Sequence, residues 1–238
     1  FDVGERVKAN KQDFHRFLAG VNYRGLDWDW SVNVLNSQSR QREYVDNFIN
    51  RYTFEDVLAS AEYDFFNGNN DAETIEALRI DTRRPGFYEL NSINANASTI
   101  LKELDNGPLS IAFGVDWREE EMDAGTSPEV LSGTELRPAI NLIKGKRQVA
   151  AGFVELDVPV VENLNVNLAG RYDHYDDFGS AWSPKVAFHY VLGDDWLLRG
   201  SWSRGFRAPS LPEIAESNTI SYGSVSYTHL RAHETPEH

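Results

Sequence analysis

Apolar and polar residues alternate with a period of two along several stretches of the chain, and this pattern predicts β-strands. In the clearest stretch one face carries only apolar residues and the other only polar ones: Leu26, Trp28, Trp30, Val32 and Val34 against Asp27, Asp29, Ser31 and Asn33. Residues 16–24 alternate in the same way, and Gly25 separates the two runs. A glycine between two alternating runs favours a tight turn, so the pair predicts a β-hairpin.

Three more hairpins are predicted further along the chain. Their paired strands cover residues 98–104 and 109–118, then 148–158 and 164–173, then 182–190 and 196–203. The alternation is weak in 98–104 and strong in 109–118. The sequence therefore predicts an all-β chain with about eight antiparallel strands.

The links between these strands alternate in length. Short turns are expected at Gly25, 105–108, 159–163 and 193–195, and long polar segments at 37–97, 119–146 and 174–180, with residues 43–63 at least partly helical. This alternation is typical of outer-membrane β-barrels, whose periplasmic turns are short and whose extracellular loops are long. Strand periodicity alone leaves a secreted β-sandwich open as the alternative.

The distribution of residue types over the two faces favours the barrel. The polar face is rich in Asp, Asn, Ser, Gly and Arg, and the apolar face carries aromatic residues toward the strand ends: Tyr23, Trp117, Tyr172, Trp182 and Trp196. Aromatic residues in such positions form the interfacial girdles of membrane barrels. We therefore expect the apolar face to contact lipid and the polar face to line a watery pore.

Composition removes several function classes. The chain has 238 residues, a formal net charge of -14 and no Cys. Nucleic-acid binding is disfavoured because it requires a basic face, and disulfides, Cys-ligated metals and thiol nucleophiles are excluded. No apolar run approaches the roughly 20 residues of a membrane-spanning helix.

The C-terminal residues 224–238 need separate treatment. Residues 225–235, VSYTHLRAHET, resemble the translation of a sequencing adapter, so we expect 224–238 to be an artefactual tail and 1–223 to be the protein domain. His229 and His233 lie in that tail, although their spacing of four would otherwise indicate a metal site. His15, His174 and His189 are far apart in the sequence, and no metal site is predicted.

Three segments carry a family likeness. They are NGPLSIAFGVDWREE at 106–120, LAGRYDHYDDFGS at 168–180 with Pro184-Lys185-Val186 after it, and RGSWSRGFRAPSLPE at 199–213. In this order they resemble TonB-dependent outer-membrane receptors, over most of residues 14–216. The resemblance implies a plug domain followed by a barrel of about 22 strands, of which this chain is a fragment without plug or TonB box.

The same resemblance implies a function. Receptors of this family lie in the bacterial outer membrane, bind a scarce solute such as a ferric siderophore, cobalamin or a glycan, and import it with energy from the TonB complex, which the plug domain contacts. The implied partners are therefore outer-membrane lipid, TonB and a small solute, with no enzymatic activity, catalytic residue or cofactor. Two alternatives stay open: a small self-contained outer-membrane barrel with an adhesin or structural role, and a soluble secreted β-sandwich that binds carbohydrate.

Arg171 and Arg199 are weak candidates for ligand contact. Both are expected to face the pore, where an ionised group needs an anionic ligand, the plug, or an Asp or Glu on an adjacent strand as its partner. A carboxylate run is expected to be a solvated extracellular loop rather than a Ca²⁺ or acid/base site: Asp116, Glu119, Glu120, Glu121 and Asp123. Arg207-Ala208-Pro209 is expected to fix the exit of a strand, because Pro209 cannot donate to a ladder.

Overall fold

A computed structural model of the protein describes residues 2–61, 63–137, 140–193 and 195–220. Within them the strands are β1 (Val7–Arg24), β2 (Trp28–Ile49), β3 (Arg79–Leu104), β4 (Gly107–Ala124), β5 (Ile140–Val161), β6 (Leu164–Tyr175), β7 (Gly179–Leu192), β8 (Trp196–Ser203) and β9 (Glu216–Ile220). The helices are α1 (Arg51–Ser60), α2 (Ala72–Leu78), α3 (Pro128–Leu131) and α4 (Leu211–Ile214).

All the strands belong to one antiparallel sheet. Strands β1 to β8 lie side by side in sequence order, and β9 pairs with β5. The prediction of an all-β fold with about eight antiparallel strands is confirmed. No helix among the described residues has the length and apolarity needed to cross a membrane.

The alternation of short and long links is confirmed for the first two long links only, because the third has three residues and is no longer than the turn between β1 and β2. The predicted bounds of all three long links are wrong. Strand β2 continues to Ile49 and β3 begins at Arg79, so the first long link is 50–78 rather than 37–97. The second is 125–139 rather than 119–146, and the third is 176–178 rather than 174–180. The ends of β2 and β3 carry polar residues on both faces, and such strands show no apolar alternation.

The link 50–78 contains two capped helices. The side chain of Asn50 accepts a hydrogen bond from the backbone of Tyr52 at the start of α1, and Asp71 accepts one from the backbone of Thr74 in α2. The hydrogen bonds from Thr74 also lower the pKa of the Asp71 carboxyl. The predicted helical region 43–63 is thus confirmed only in part, because 43–49 is strand and α1 spans 51–60.

A small apolar core forms between this link, the start of the chain and the end of β2. Val3, Val57, Tyr63 and Leu78 are buried together, and Ile49, Phe54 and Ile75 pack against them. The link is therefore a folded unit. It lies at the end of the sheet that carries the long links, and we name this end the long-link rim. The opposite end, with the turns at 25–27, 105–106 and 162–163 and the connection from β7 to β8, is the short-turn rim.

One face of the sheet, named here the outer face, carries a continuous apolar band. Strand register places its side chains in rows across the sheet; Trp30, Ala97, Phe113 and Val154 form one row, and Val34, Ile93 and Trp117 another. Large apolar residues of the band are 37% to 62% exposed: Trp28, Val32, Ile93, Phe113, Val115, Trp117, Val154, Leu168, Tyr172, Trp182, Val186, Phe188 and Trp202. A soluble sheet would cover such a band, whereas a membrane barrel exposes it to lipid.

Two glycines make room for rings within the band. A Cβ added to Gly170 would lie 2.6 Å from the ring of Trp182, and one added to Gly200 would lie 2.7 Å from the ring of Phe188. Each ring therefore lies over a neighbouring strand that has no side chain at that point. The glycines in these strands serve packing on the outer face rather than a turn.

The chain after β8 turns back across the opposite face, named here the inner face. The backbone N–H of Arg204 donates to the carbonyl of Pro184 on β7 at 3.0 Å, and residues 204–215 lead to β9 beside β5. Leu211 in α4 is 5% exposed. The sequence did not predict this path. Strand β8 ends at Ser203, four residues before Arg207, and the expectation that Arg207-Ala208-Pro209 fixes the strand exit stays a prediction.

Candidate functional site: the inner face of the sheet

The inner face is covered by polar side chains that pair across adjacent strands. Ser31 donates to Asn96 at 3.0 Å, and Asn33 donates to Asn94 at 3.0 Å, both between β2 and β3. Between β5 and β6, Asn167 donates to Glu155 at 2.7 Å. This arrangement follows from the alternation of side chains along a strand, because a residue adjacent in sequence to one of the apolar band points to the inner face. The result is a hydrated surface opposite the apolar band.

An ionic cluster lies on the inner face of β4 and β5. Nε of Arg118 donates to Glu120 at 3.0 Å, and a terminal nitrogen of Arg147 donates to the other oxygen of Glu120 at 2.7 Å. Arg118 also lies 3.6 Å from Asp116. The side chain of Arg147 is only 6% exposed, so its charge depends on these partners.

A second ion pair joins the inner face to the long-link rim. Arg84 on β3 donates to both carboxylate oxygens of Glu135 at 2.8 Å and lies 3.3 Å from Glu43. Glu135 belongs to the link 125–139 and is 2% exposed. Burial raises the pKa of the Glu135 carboxyl, and the Arg84 guanidinium partly offsets that effect. The pair therefore ties the link 125–139 to the wall of the sheet.

Arg171, a predicted ligand candidate, lies on the inner face of β6. Its guanidinium donates to Asp173 two residues further along the same strand, at 2.9 to 3.1 Å. The side chain remains 39% exposed. Arg171 is thus paired with a carboxylate of its own strand and still presents part of its guanidinium to the inner face.

Arg199, the other candidate, lies on the inner face of β8 in register with His189. It lines an open depression of about 360 Å³ together with Asp157, Asn165 and Lys185. Arg171 is in register with Ser183, six residues from His189 on β7, so the two arginines are separated by roughly 20 Å along the strands. The structure does not bring them into one site.

The carboxylate run lies in β4 and not in a loop, so that part of the prediction is wrong. Asp116 and Glu120 point to the inner face, and Glu119, Glu121 and Asp123 point to the outer face. The run therefore does not converge on one point. Among the described residues, no group of three or more His, Asp or Glu side chains is placed to hold a metal ion.

The outer face becomes polar beyond the apolar band, toward the long-link rim. Glu119 pairs with Lys146 at 2.9 Å and accepts from Gln148 at 2.8 Å. Asn36 donates to Asn91 at 2.6 Å on the neighbouring strands. These residues lie next to the row that ends in Trp117. The change from apolar to polar marks one boundary of the lipid-facing zone.

Comparison with known proteins agrees with this two-faced sheet. Residues 3–232 match the family described as TonB dependent receptor-like, beta-barrel. The chain belongs to the TonB-dependent receptor family. It is therefore a β-barrel segment of an outer-membrane protein, with the inner face toward the lumen and the long-link rim outside the cell. The family match also overlaps the beginning of the tail expected at 224–238, which lies outside the described residues.

Curated relatives are named as iron and siderophore receptors. The chain is 30% identical over 212 residues to the iron-regulated outer membrane virulence protein of Vibrio cholerae serotype O1, covering 89% of the chain and 30% of the relative. It is 25% identical to a probable TonB-dependent siderophore receptor PirA of Acinetobacter baumannii, covering 92% of the chain and 27% of the relative. The chain thus spans less than a third of the length of these relatives.

The ferrienterobactin receptor of Escherichia coli K12 is 27% identical over 110 residues, covering 43% of the chain and 15% of the relative. A solved structure of the RagAB peptide transporter superposes with a TM-score of 0.55 at 12% identity, covering 92% of this chain and 27% of that one. This likeness concerns the fold alone.

Sequence reasoning did not single out Arg147 and Arg118. Arg147 stands at the border between the predicted loop 119–146 and the strand that follows it. Its partners Glu120 and Pro209 are 27 and 62 residues away, a separation that no local pattern reports. Residues 144–147, Lys-Gly-Lys-Arg, show no apolar–polar alternation, so the local sequence offered no signal for this contact.

Proposed function

We propose that this chain forms part of a receptor that binds a ferric siderophore and imports it across the outer membrane with energy supplied through TonB. The proposal is supported by the family, by relatives named as siderophore and iron-regulated receptors, and by a polar inner face opposite a lipid-facing band. The inner face carries charged groups of both signs, which suit a hydrated path for a polar solute.

The observation that carries the proposal is the continuity of the two faces across eight strands. A row such as Trp30, Ala97, Phe113 and Val154 exposes apolar atoms on one side, and the alternate row, with Asn33, Asn94 and Asp116, is polar on the other side. A self-contained secreted sandwich would need to cover the apolar rows. We propose no covalent chemistry for this surface, and the protein is not proposed to be an enzyme.

Transport is tested with the receptor that contains this chain, expressed in a strain that lacks its own siderophore receptors. We expect uptake of iron-55 supplied as ferric enterobactin, and loss of that uptake when TonB is deleted or the proton gradient is collapsed. Cobalamin and a maltooligosaccharide serve as competing solutes. Uptake of one of these instead of the siderophore, or uptake that does not need TonB, would contradict the proposal.

Two further parts of the function are proposals of the same kind. The TonB complex is proposed to act through a plug domain that packs against the inner face, where Arg171 and Arg199 are candidates for contact with the plug or an anionic solute. Residues 224–238 are proposed to be foreign to the receptor. Sequencing genomic DNA across this point should give a different continuation after residue 223, and an unchanged VSYTHLRAHET would refute the artefact.

A further inference from the structure

The segment 204–215 packs tightly on the inner face of β5. A Cβ added to Gly145 would lie 2.8 Å from Cβ of Ala215 and 3.2 Å from Cγ of Leu211. Gly145 therefore leaves the space that α4 and its C-terminal neighbour occupy. The chain then continues as β9, with Ser217 in register with Ile143 on β5.

Arg147 joins this segment to the wall of the sheet. One terminal nitrogen of its guanidinium donates to the carbonyl of Pro209 at 2.8 Å, and the other donates to Glu120 at 2.7 Å. Nε lies 4.0 Å from a carboxylate oxygen of Asp177, and the guanidinium carbon lies 5.5 Å from the centre of the Tyr175 ring. A single buried side chain thus contacts β4, β6, the link 176–178 and the segment 204–215.

Aromatic packing supports the same contact. The rings of Phe178 and Phe206 stack with centroids 5.5 Å apart, and Tyr175 meets each of them edge-on at 6.1 Å. Phe206 belongs to the segment, and Phe178 to the extracellular link between β6 and β7. Stacked rings contribute beyond the area they bury, so the segment has an apolar contact next to the polar one.

The segment is also ordered internally. Glu213 accepts hydrogen bonds from the backbone and the hydroxyl of Ser210, and Arg207 donates to both of its carboxylate oxygens. The backbone bond from Ser210, with the contributions of its hydroxyl and of Arg207, lowers the pKa of Glu213 to about 2. The segment can therefore dock as a preformed unit rather than as a loose chain.

We propose that Arg147 is a positioning residue that holds the segment 204–215 against the lumen wall, where the segment narrows the solute path near its extracellular end. That a solute passes along this wall rests on the proposed function. The docking of the segment 204–215 does not. Removal of the guanidinium leaves the Pro209 carbonyl without its Arg147 donor and the partly buried Glu120 carboxylate with Arg118 alone. The Pro209 carbonyl recovers hydration when the segment moves away from the wall.

Docking is tested by labelling a cysteine in the receptor that contains this chain. The chain has no native Cys, and Leu211 is 5% exposed, so Leu211→Cys should react slowly with a membrane-impermeant maleimide on intact cells. Adding Arg147→Met should make labelling at least about tenfold faster, the change expected when one charge-assisted hydrogen bond is lost. Arg147→Lys should give an intermediate rate, because it keeps the charge but not the fork.

The control variant is Arg40→Met, which removes an exposed arginine from the outer face and should leave the labelling rate unchanged. Pro212→Cys, next to Leu211 and exposed, sets the rate for an open position. Rapid labelling of Leu211→Cys with Arg147 intact would overturn the docking. Equal labelling rates of Leu211→Cys with and without the Arg147→Met substitution would overturn the positioning role.

A second readout concerns transport of ferric enterobactin. If the segment narrows the path, Arg147→Met should raise the KM of uptake, because binding of the solute depends on the shape of the lumen wall. The maximal rate should stay within a factor of about two, because the energy supplied for transport does not depend on that wall. A fall in maximal rate with unchanged KM would contradict that part of the inference. If no variant transports the probe, the proposed function fails, and the labelling rates still decide the role of Arg147.

Discussion

The side of the sheet that contacts lipid can be tested by placing the same charge on each face of β4. Val115 lies on the outer face, 62% exposed, between Ala95 and Gly152 on the adjacent strands. Ala112 lies on the inner face of the same strand, in register with Ser98 and Glu155. The variants Val115→Arg and Ala112→Arg therefore add one arginine three residues apart and differ in the environment that receives it.

The expected cost follows from the surroundings of each position. The cross-strand neighbours of Val115 offer no carboxylate, and an arginine near the middle of the lipid-facing zone of a barrel costs about 2–4 kcal/mol. Ala112 faces water and the Glu155 carboxylate, so arginine there should change the free energy of unfolding by less than about 1 kcal/mol. We expect a difference of about 2 kcal/mol between the two variants.

The assay is urea unfolding of the receptor that contains this chain, in phosphatidylcholine vesicles, followed by tryptophan fluorescence. Val115→Leu serves as the control for the loss of valine and should be neutral, since lipid accepts either side chain. Equal free energies for the two arginine variants would refute the assignment of faces. A larger cost for Ala112→Arg would mean that the inner face, and not the apolar band, is the buried one.

Three other measurements follow from the same structure. All six tryptophans lie on the outer face and are 37% to 76% exposed, so brominated acyl chains should quench most of the fluorescence, and weak quenching would contradict lipid contact. Because the folded pKa of Glu213 is depressed to about 2, its contribution to stability is present above the unfolded value of 4.5 and is lost as pH falls toward 2. Hydrogen exchange in 211–215, corrected for intrinsic rates, should therefore accelerate across that range, and Glu213→Gln should abolish the change; an unaltered pH response in that variant would exclude Glu213. Arg84→Met leaves the buried Glu135 unpaired and should destabilise the links at the long-link rim by about 3 kcal/mol by hydrogen exchange, whereas Arg84→Met combined with Glu135→Leu should cost less; equal costs would show that the ion pair is not the cause.

The strands that cross the lipid zone were predictable because membrane and lumen impose opposite demands on alternate residues. Trp28, Trp30, Val32 and Val34 report one face directly, and the structure places them in the apolar band. The ends of β2 and β3 at the long-link rim were missed because they show no apolar–polar alternation. Residues 36–43 are polar on both faces of β2, and 79–92 mix apolar and polar residues on both faces of β3. Polar residues such as Ser37, Gln38 and Ser39 then satisfy either side, and only the neighbouring strand determines that the chain stays extended.

The inner-face contacts were harder to predict for another reason. Arg171 and Arg199 could be selected from the sequence because they are arginines on the polar face of alternating strands. The distance between them is set by their register with Ser183 and His189 of β7, which the sequence of neither strand gives. The role of Arg147 depends on a segment that returns across two strands, so its partners are known only once the path of 204–215 is known. Contacts of this range carry no local signature.

The unequal rims divide the molecule into a part that is free to diversify and a part that is not. The turn at 105–106 has two residues, and an insertion there would disturb the register of β3 and β4. Changes within the link 50–78 leave the register of β2 and β3 intact, because the link lies beyond their last paired residues, Ile49 and Arg79. Antibodies and phages that approach from outside meet only the replaceable end. Lineages under such attack can therefore alter what they display while the strands inherited beneath it stay the same.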